Sequence, residues 1–257
     1  MTKALIGYTG FVGGTLLGQV AFDDLYRSTN IAEIGGARYD LVVCAAAPGQ
    51  KWKANRDPDS DKANLQMLMG HLRTVRADTF VLISTIDVYP KPSSVDETTP
   101  VNSEEGEPYG RHRLLLEEFA ASYFDRAFVV RLPGLFGKGL RKNYVYDLLR
   151  NPDALHLTHC DSVFQFYDMA RLWADLDIVL RNDIRLMNFA TEPVSAREVA
   201  ERAFGVRFGN RTERAPVTYD MRTIHARVFG ASGLYIASSE EILRRLARFV
   251  DEEKKRL

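Results

Sequence analysis

The stretch that decides the fold is Ala4-Leu5-Ile6-Gly7-Tyr8-Thr9-Gly10-Phe11-Val12-Gly13, near the start of the chain. Its three apolar residues predict a short buried strand, and residues 14–20 continue in a helical pattern. The glycines, spaced GxxGxxG, allow a tight turn between the strand and the helix. Strand, glycine turn and helix in this order are the opening of a βαβ unit.

Strand and helix patterns alternate along the rest of the chain. The predicted elements are a sheet element at 24–28, a strand at 39–44, a helix at 64–75, a strand at 80–83, a helix at 109–123, a strand at 127–132, a helix at 167–180 and a strand at 186–190. The strands lack strict alternation of apolar and polar residues, which is typical of a parallel sheet. The sequence therefore predicts an α/β fold with a doubly wound, Rossmann-type sheet. A last helix is predicted after Ser238, which forms a capping-box pattern with Glu241.

The amino-acid composition limits which binding partners and which cellular compartment are expected. Hydrophobic residues make up 46% of the 257 residues, enough for a sizeable core, and 34 basic residues balance 34 acidic ones. No overall charge therefore attracts nucleic acid or anionic lipid. The longest apolar run, 41–47, is far shorter than the roughly 20 residues that cross a bilayer. With only Cys44 and Cys160, and with glycines interrupting the first apolar segment, we expect a cytoplasmic protein without a secretory leader.

The glycine turn also predicts a site for a diphosphate. Glycines let the backbone approach a pyrophosphate, and the start of the following helix offers N–H groups to the anion. A turn whose glycines serve packing alone is the alternative. The next sheet element ends near Arg27 and Ser28, where an arginine could neutralise the 2′-phosphate of NADP. NADP is therefore the preferred cofactor and NAD the second choice, although an exposed arginine at a strand end needs no ligand.

A hydroxyl, a phenol and a guanidinium are expected at the carboxyl edge of the sheet. Thr85 follows the strand at 80–83, and Tyr109 begins a helix that carries Arg113 one turn later. Together they could polarise a carbonyl and deliver a proton beside a hydride donor, with the cation lowering the pKa of the phenol. In the structural alternative, Thr85 caps a turn, Tyr109 covers a core edge and Arg113 pairs with Glu117.

Ordered motifs extend over residues 5–205. They are the glycine turn, similar to GxTGFxG; Val42-Val43-Cys44-Ala45-Ala46-Ala47, similar to VVHLAA; Asn64 at a helix start; Ser84-Thr85-Ile86-Asp87-Val88-Tyr89, similar to STDEVY; Tyr109-Gly110-Arg111-His112-Arg113, similar to YGxSK; Arg131-Leu132-Pro133-Gly134-Leu135-Phe136-Gly137, similar to RxxNVYGP; Phe164-Gln165-Phe166-Tyr167-Asp168, similar to RxFxxVxD; and Met187-Asn188-Phe189-Ala190 with Val194-Ser195, similar to YNIG…S. In this order the motifs resemble the extended short-chain dehydrogenase/reductase family, of the nucleotide-sugar epimerase, dehydratase and reductase type.

The resemblance implies a dinucleotide-binding Rossmann domain at 1–136 and 164–190, and a small interleaved C-terminal substrate lobe at 137–163 and 191–257. It implies that Tyr109 is the general acid/base, Thr85 bonds the substrate oxygen and Arg113 replaces the active-site lysine. The candidate cofactor-binding residues are Gly7, Thr9, Gly10, Phe11, Val12, Gly13, Arg27, Ser28, Ala45, Ala46, Tyr109, Arg113, Pro133 and Leu135. The candidate substrate-binding residues are Asp87, Lys138 and Gln165.

Departures from the family pattern refine the expected activity. Ile86 stands at the first position of the dehydratase acid pair and leaves Asp87 alone, so dehydration is not expected. An arginine is bulkier than a lysine and not interchangeable with it. The resulting hypothesis is an NAD(P)-dependent reductase or epimerase of a nucleotide-linked sugar. The alternatives are a catalytically weak NAD(P)-binding regulatory or scaffold protein and, less favoured, an α/β protein without a dinucleotide.

Two further expectations concern assembly and metals. The resemblance implies a homodimer formed through two helices, which apolar residues on the helix at 109–123 would suit. His156, His159, Cys160 and Asp161 are metal-ligand residue types, but in a strand a spacing of three sends the two imidazoles to opposite faces. No metal site is therefore predicted.

Overall fold

The computed structural model describes residues 1–256. Its strands are β1 (Lys3–Ile6), β2 (Asp24–Tyr26), β3 (Arg38–Cys44), β4 (Arg76–Thr85), β5 (Ser93–Val95), β6 (Ala127–Leu132), β7 (Gly134–Phe136), β8 (Val163–Phe164), β9 (Phe166–Asp168), β10 (Leu186–Asn188), β11 (Val194–Ser195) and β12 (Asp220–Met221). The α-helices are α1 (Phe11–Leu17), α2 (Lys51–Arg56), α3 (Pro58–Leu72), α4 (Pro108–Tyr123), α5 (Tyr144–Arg150), α6 (Leu172–Arg181), α7 (Ala196–Phe204) and α8 (Ser239–Lys254). Short 3₁₀ helices lie at Ile31–Ile34, Ile86–Val88, Pro152–Leu157, Met169–Arg171 and Ala226–Phe229.

Six strands form a parallel sheet in the order β10-β6-β4-β3-β1-β2, which confirms the predicted doubly wound fold. The chain leaves β1 for β2 on one side and then returns to β3 on the other, so the direction of winding reverses at β1. Ile6 and Cys44, the last residues of β1 and β3, are register partners. In open α/β sheets ligands bind at such a reversal, beyond the carboxyl ends of the strands. The glycine turn begins there.

The chain divides into two compact units, each with its own core. The first unit comprises Met1–Lys91, Thr99–Arg131 and Leu172–Met187, and its core includes the stacked rings of Phe80 and Phe124, 4.0 Å apart. The second comprises Pro92–Thr98, Leu132–Arg171 and the chain from Asn188 onward. Helices α7 and α8 supply much of the second core. The assignment of one unit to the dinucleotide and the other to the substrate stays a prediction.

Three predicted helices differ from the observed ones at their starts. Helix α1 begins at Phe11, three residues earlier than predicted, because Gly10 already serves as its N-cap. Helix α3 begins at Pro58, where the Asp57 carboxylate accepts a hydrogen bond from the backbone of Ser60 and proline suits the first turn. The helix predicted from residue 167 was wrong at its start. There the backbone pairs in parallel with β7, and α6 begins only at Leu172.

The predicted C-terminal helix is confirmed as α8. Ser238 caps it by accepting a hydrogen bond from the Glu241 N–H at 3.3 Å, while the Glu241 carboxylate binds Arg245 instead of closing the box. A reciprocal capping box occurs at the start of α7. The buried residues of α8 are Ile242, Leu243, Leu246 and Val250. Among residues 1–256, no helix has both the length and the apolar character needed to cross a membrane.

Candidate active site

The glycine turn lies against the carboxyl end of β3. Gly7 has a φ of +89°, and a Cβ at this position would come within 2.5 Å of the Ala45 carbonyl oxygen and 2.7 Å of the Ala46 Cα. Only glycine can therefore make this turn without displacing the neighbouring strand. Because the Ala45 N–H also donates to the Ile6 carbonyl at 2.8 Å, the structure brings the predicted residues Gly7, Ala45 and Ala46 into one place.

The start of α1 is open above this turn. Thr9 and Gly10 are exposed, and Phe11 and Val12 are half-buried. Within the described residues no side chain caps Gly10. The helix start thus presents backbone N–H groups next to the carboxyl end of β1, as a diphosphate would require.

Strand β2 ends beside two exposed polar residues, Arg27 and Ser28. The Arg27 backbone is held by the Asn30 side chain at 2.7 Å, while its guanidinium has no ion-pair partner in residues 1–256. The Asp24 carboxylate accepts a hydrogen bond from the Tyr39 hydroxyl at 2.7 Å. The cation rather than the acid is therefore uncommitted at this strand end.

Thr85 and Tyr109 come together at the carboxyl end of β4. The Thr85 hydroxyl accepts a hydrogen bond from the Asp87 N–H at 3.2 Å and so caps the 3₁₀ turn that follows the strand. A Cβ on Gly110 would lie 2.0 Å from the Asp87 carbonyl oxygen, so the first turn of α4 rests directly on that turn. The Asn55 side chain accepts a bond from the Tyr109 N–H at 2.9 Å. Thr85 and Tyr109, two members of the predicted catalytic group, therefore lie together in the first unit, with the candidate substrate residue Asp87 beside them.

Arg113 is buried and held by Asp61 of α3. Its two terminal nitrogens donate to the two Asp61 carboxylate oxygens at 2.9 and 3.1 Å, and Nη2 also donates to the Pro48 carbonyl at 2.5 Å. The guanidinium carbon lies 4.4 Å from the centre of the Tyr109 ring. Its Nε is buried and has no hydrogen-bond partner among the described residues. The alternative pairing of Arg113 with Glu117 is wrong, because Glu117 binds Arg131.

The expected lowering of the phenol pKa is also wrong. Burial raises the pKa of Tyr109 above its ordinary value. The charge of Arg113 and hydrogen bonding by Thr85 and Arg113 act to lower this pKa, and the charge of Asp87 raises it. Burial has the larger effect, because removing the phenolate from water costs more free energy than the attraction of the partly neutralised Arg113 guanidinium contributes. Tyr109 is therefore a protonated phenol at neutral pH.

Sequence reasoning missed two groups at this site. Lys51, the first residue of α2, places its ammonium 2.8 Å from the Asp87 carboxylate and 3.6 Å from that of Glu107. Asp61 is buried on the same face of α3 as Leu65 and Leu72. A carboxylate in an apolar helical stripe is a recognisable signal of a buried partner, but the stripe becomes visible only once α3 is known to begin before residue 61.

Four candidate residues belong to the second unit. Pro133 is buried, Leu135 is half-buried and Lys138 is exposed. Gln165 is buried, and its amide donates to the Thr191 and Met221 carbonyls at 2.5 and 2.7 Å and accepts from the Met221 N–H at 2.8 Å. Both amide hydrogens of Gln165 therefore hold the unit's backbone together, and neither remains for a substrate.

Three of the four residues with metal-ligand side chains lie closer to one another than the sequence predicted. Ligand atoms of His159, Cys160 and Asp161 all lie within 4.8 Å of one another, without His156. The Arg197 guanidinium donates to the Cys160 sulfur at 3.1 Å and to the Asp161 carboxylate at 2.9 Å. The Arg197 guanidinium therefore already binds two of these three ligand groups. The absence of a metal site stays a prediction.

A family model described as the NAD dependent epimerase/dehydratase family matches residues 15–150, slightly more than half of the chain. The matched segment contains Thr85, Tyr109 and Arg113. A comparison with curated proteins gave no match.

Solved structures of sugar-nucleotide enzymes share the fold. The dTDP-4-dehydrorhamnose reductase of Bacillus anthracis str. Ames, in complex with NADP, is 19% identical with a TM-score of 0.74, covering 98% of this chain and 99% of that one. The Clostridium acetobutylicum ATCC 824 reductase of the same name is 17% identical with a TM-score of 0.71, covering 99% and 100%. MoeE5 in complex with UDP-glucuronic acid and NAD is 15% identical with a TM-score of 0.74, covering 100% of both. At these identities the likeness shows the fold alone.

Proposed function

Because the chain belongs to the NAD dependent epimerase/dehydratase family, we propose that it is an NAD(P)-dependent reductase acting on a keto carbon of a nucleotide-linked sugar. The observation that carries this proposal is the buried, protonated Tyr109 phenol, grouped with Thr85 at the carboxyl end of β4. A phenol in this state is a proton donor, which is what reduction of a carbonyl requires.

The residues of the first unit fit a dinucleotide on two observations. The uncapped start of α1 offers backbone N–H groups to the diphosphate beside the glycine turn. Arg27 and Ser28 would meet the adenosine end, and the uncommitted Arg27 favours NADP.

The nicotinamide coenzyme, when bound, supplies the hydride. Thr85 would donate a hydrogen bond to the substrate carbonyl oxygen and so polarise the carbon. Tyr109 would pass its proton to that oxygen as negative charge develops on it, leaving a phenolate that regains a proton from water. The Lys51–Asp87 ion pair would lie beside this oxygen and bind sugar hydroxyls. These steps convert one carbonyl to one alcohol.

Reduction is favoured over epimerisation by the uncommitted Arg27, which suits the 2′-phosphate of NADP. The similar fold of dTDP-4-dehydrorhamnose reductases supports the same reaction class. Epimerisation is the second choice, and a homodimer stays a prediction.

A regulatory or scaffold protein that binds NAD(P) is the second candidate function. It is favoured by one observation, the neutralisation of Arg113 by Asp61 where the family pattern has a lysine. Such a protein would bind the coenzyme and turn over no sugar.

Coenzyme binding and turnover separate these candidates. Thermal unfolding would be followed with NAD⁺, NADH, NADP⁺ and NADPH, and nicotinamide absorbance would be followed with dTDP- and UDP-linked keto sugars. We expect the larger stabilisation with NADPH, and about a tenfold loss of NADPH affinity in Arg27→Ala with NADH affinity unchanged. NADPH oxidation that disappears in Tyr109→Phe supports the reductase. Tight binding with no oxidation in either protein supports the regulatory candidate, and no stabilisation by any coenzyme rejects both.

A further inference from the structure

Asp61, His112 and Arg113 form a buried cluster behind the candidate active site. Their relative exposures are 7%, 6% and 3%. One Asp61 carboxylate oxygen meets His112 Nδ1 at 2.8 Å and Arg113 Nη1 at 2.9 Å, and the other accepts from Arg113 Nη2 at 3.1 Å. A buried carboxylate with two basic partners is held in a single geometry, since each lost contact would leave a charge uncompensated.

The hydrogen bonds of Arg113 fix the plane of its guanidinium. Nη2 uses both hydrogens, on Asp61 and Pro48, and Nη1 uses one on Asp61. The group cannot rotate without breaking a bidentate pair, so its face stays 4.4 Å from the Tyr109 ring centre. Asp61 thereby decides both where the cation lies and how much of its charge the phenol experiences.

The charged groups around Tyr109 form two clusters. From α3 and α4 come Asp61, His112 and Arg113, with Arg113 bound to Asp61. In the second cluster, Lys51 of α2 binds both Asp87 of the 3₁₀ turn and Glu107 before α4. Thr85 is the uncharged neighbour. Removing Asp61 would therefore leave the charge of Arg113 uncompensated beside the phenol.

We propose that Asp61 is a positioning residue for proton transfer, which holds Arg113 against Tyr109 and offsets part of its charge so that the phenol keeps its proton until a substrate oxygen takes it. This inference rests on the proposed function in one respect, the role of Tyr109 as proton donor. Hydrogen bonds from Arg113 and His112, which lower the pKa of Asp61 against the opposing effect of burial, keep this carboxylate charged at neutral pH.

The test is a titration of Tyr109 itself, without substrate or coenzyme. Tyrosine labelled with carbon-13 at the phenol carbon would be followed by NMR across alkaline pH, with the signal assigned by its loss in Tyr109→Phe. In Asp61→Asn the uncompensated Arg113 should favour phenolate, and its midpoint should fall by about one pH unit or more. Asp61→Glu, which keeps the charge, should titrate near the parent protein. In a protein that also turns over, the alkaline limit of kcat should fall with the midpoint.

Two variants keep the test decisive if Asp61→Asn does not fold. Arg113→Gln leaves Asp61 unpaired and should move the midpoint to higher pH, and the double variant Asp61→Asn/Arg113→Gln should return it close to the parent value. Glu117→Gln is the matched control, because it breaks another buried arginine pair, whose arginine lies over the Tyr89 ring and not over Tyr109, and it should leave the midpoint in place. Equal midpoints in the parent, Asp61→Asn and Arg113→Gln would overturn the inference. Failure to oxidise NADPH would reject the reductase and leave this titration unaffected.

Discussion

The first unit contains two sets of residues built from the same three chemical groups. In each set an arginine forms a bidentate pair with a buried carboxylate and lies over a tyrosine ring. Arg131 binds Glu117 and lies 4.8 Å from the ring centre of Tyr89. Arg113 binds Asp61 and lies 4.4 Å from the ring centre of Tyr109. We call these the Arg131 set and the Arg113 set.

The two sets differ in whether their hydrogen bonds are complete. Arg131 donates from Nε and Nη2 to Glu117, and from Nη1 to the Tyr89 hydroxyl at 2.7 Å. Ser84 donates a further hydrogen bond to Glu117. The Arg113 set leaves Nε without a partner among the described residues. In the Arg131 set every guanidinium nitrogen therefore has a hydrogen-bond partner, and in the Arg113 set one nitrogen has none.

The largest expected difference between the sets is catalytic. Tyr109→Phe removes the proton donor, and we expect NADPH-dependent turnover to fall about 10²–10⁴-fold while the protein stays folded. Tyr89→Phe removes a hydrogen bond of the complete set and should lower the melting temperature with little change in kcat. Steady-state kinetics and thermal unfolding would be measured for both variants. A comparable loss of kcat in Tyr109→Phe and Tyr89→Phe would contradict the expected difference between the two sets.

The next difference concerns stability. Glu117→Gln breaks a buried ion pair and should cost about 3–5 kcal/mol of unfolding free energy. Asp61→Asn should cost less, because the Arg113 carboxylate contacts are fewer and Pro48 still accepts from its guanidinium. Urea unfolding of both variants gives the two values. A larger cost for Asp61→Asn would show that the Arg113 set is the stronger support of the fold.

Exchange of each arginine for lysine should produce a smaller effect. Arg131→Lys cannot keep the bonds to both Glu117 and Tyr89, so we expect a loss of about 1–3 kcal/mol. Arg113→Lys also loses contacts, but it removes the unpaired Nε and should cost less than Arg131→Lys. The comparison needs only denaturant midpoints of two folded proteins, and equal losses would contradict the role given to the unpaired donor.

The smallest effect is expected on the stability of the protein at acidic pH. Because the pKa of Asp61 is lower in the folded chain than in the unfolded one, its contribution to stability is present above the unfolded pKa of about 3.9 and is lost as the pH falls through the folded value. The parent protein should therefore lose stability below about pH 4 more steeply than Asp61→Asn does. Thermal melts at several acidic pH values measure the two slopes, and parallel slopes would mean that Asp61 titrates alike in both states.

Much of this arrangement could be predicted from sequence because it depends on local order. The glycine turn after β1, the alternation of elements and the ends of β4 and α4 place Gly7, Thr85 and Tyr109 at one edge of the sheet. Such positions follow from the topology of a parallel sheet once the strands are recognised.

What could not be predicted depends on contacts between distant residues. The Asp61–Arg113 pair joins two helices, and nothing in the pattern of α4 shows that Arg113 binds α3 rather than Glu117. The sign of the Tyr109 pKa depends on burial, which only the packed fold determines. The strand at residue 167 forms because β7 lies beside it, a pairing that a single stretch of sequence does not reveal.

The contact between Gly110 and the carbonyl of Asp87 has a consequence for engineering. A methyl group at position 110 would overlap that oxygen, so no larger residue fits there unless the first turn of α4 moves away from the 3₁₀ turn. Libraries that vary the surroundings of Tyr109 should therefore leave position 110 as glycine.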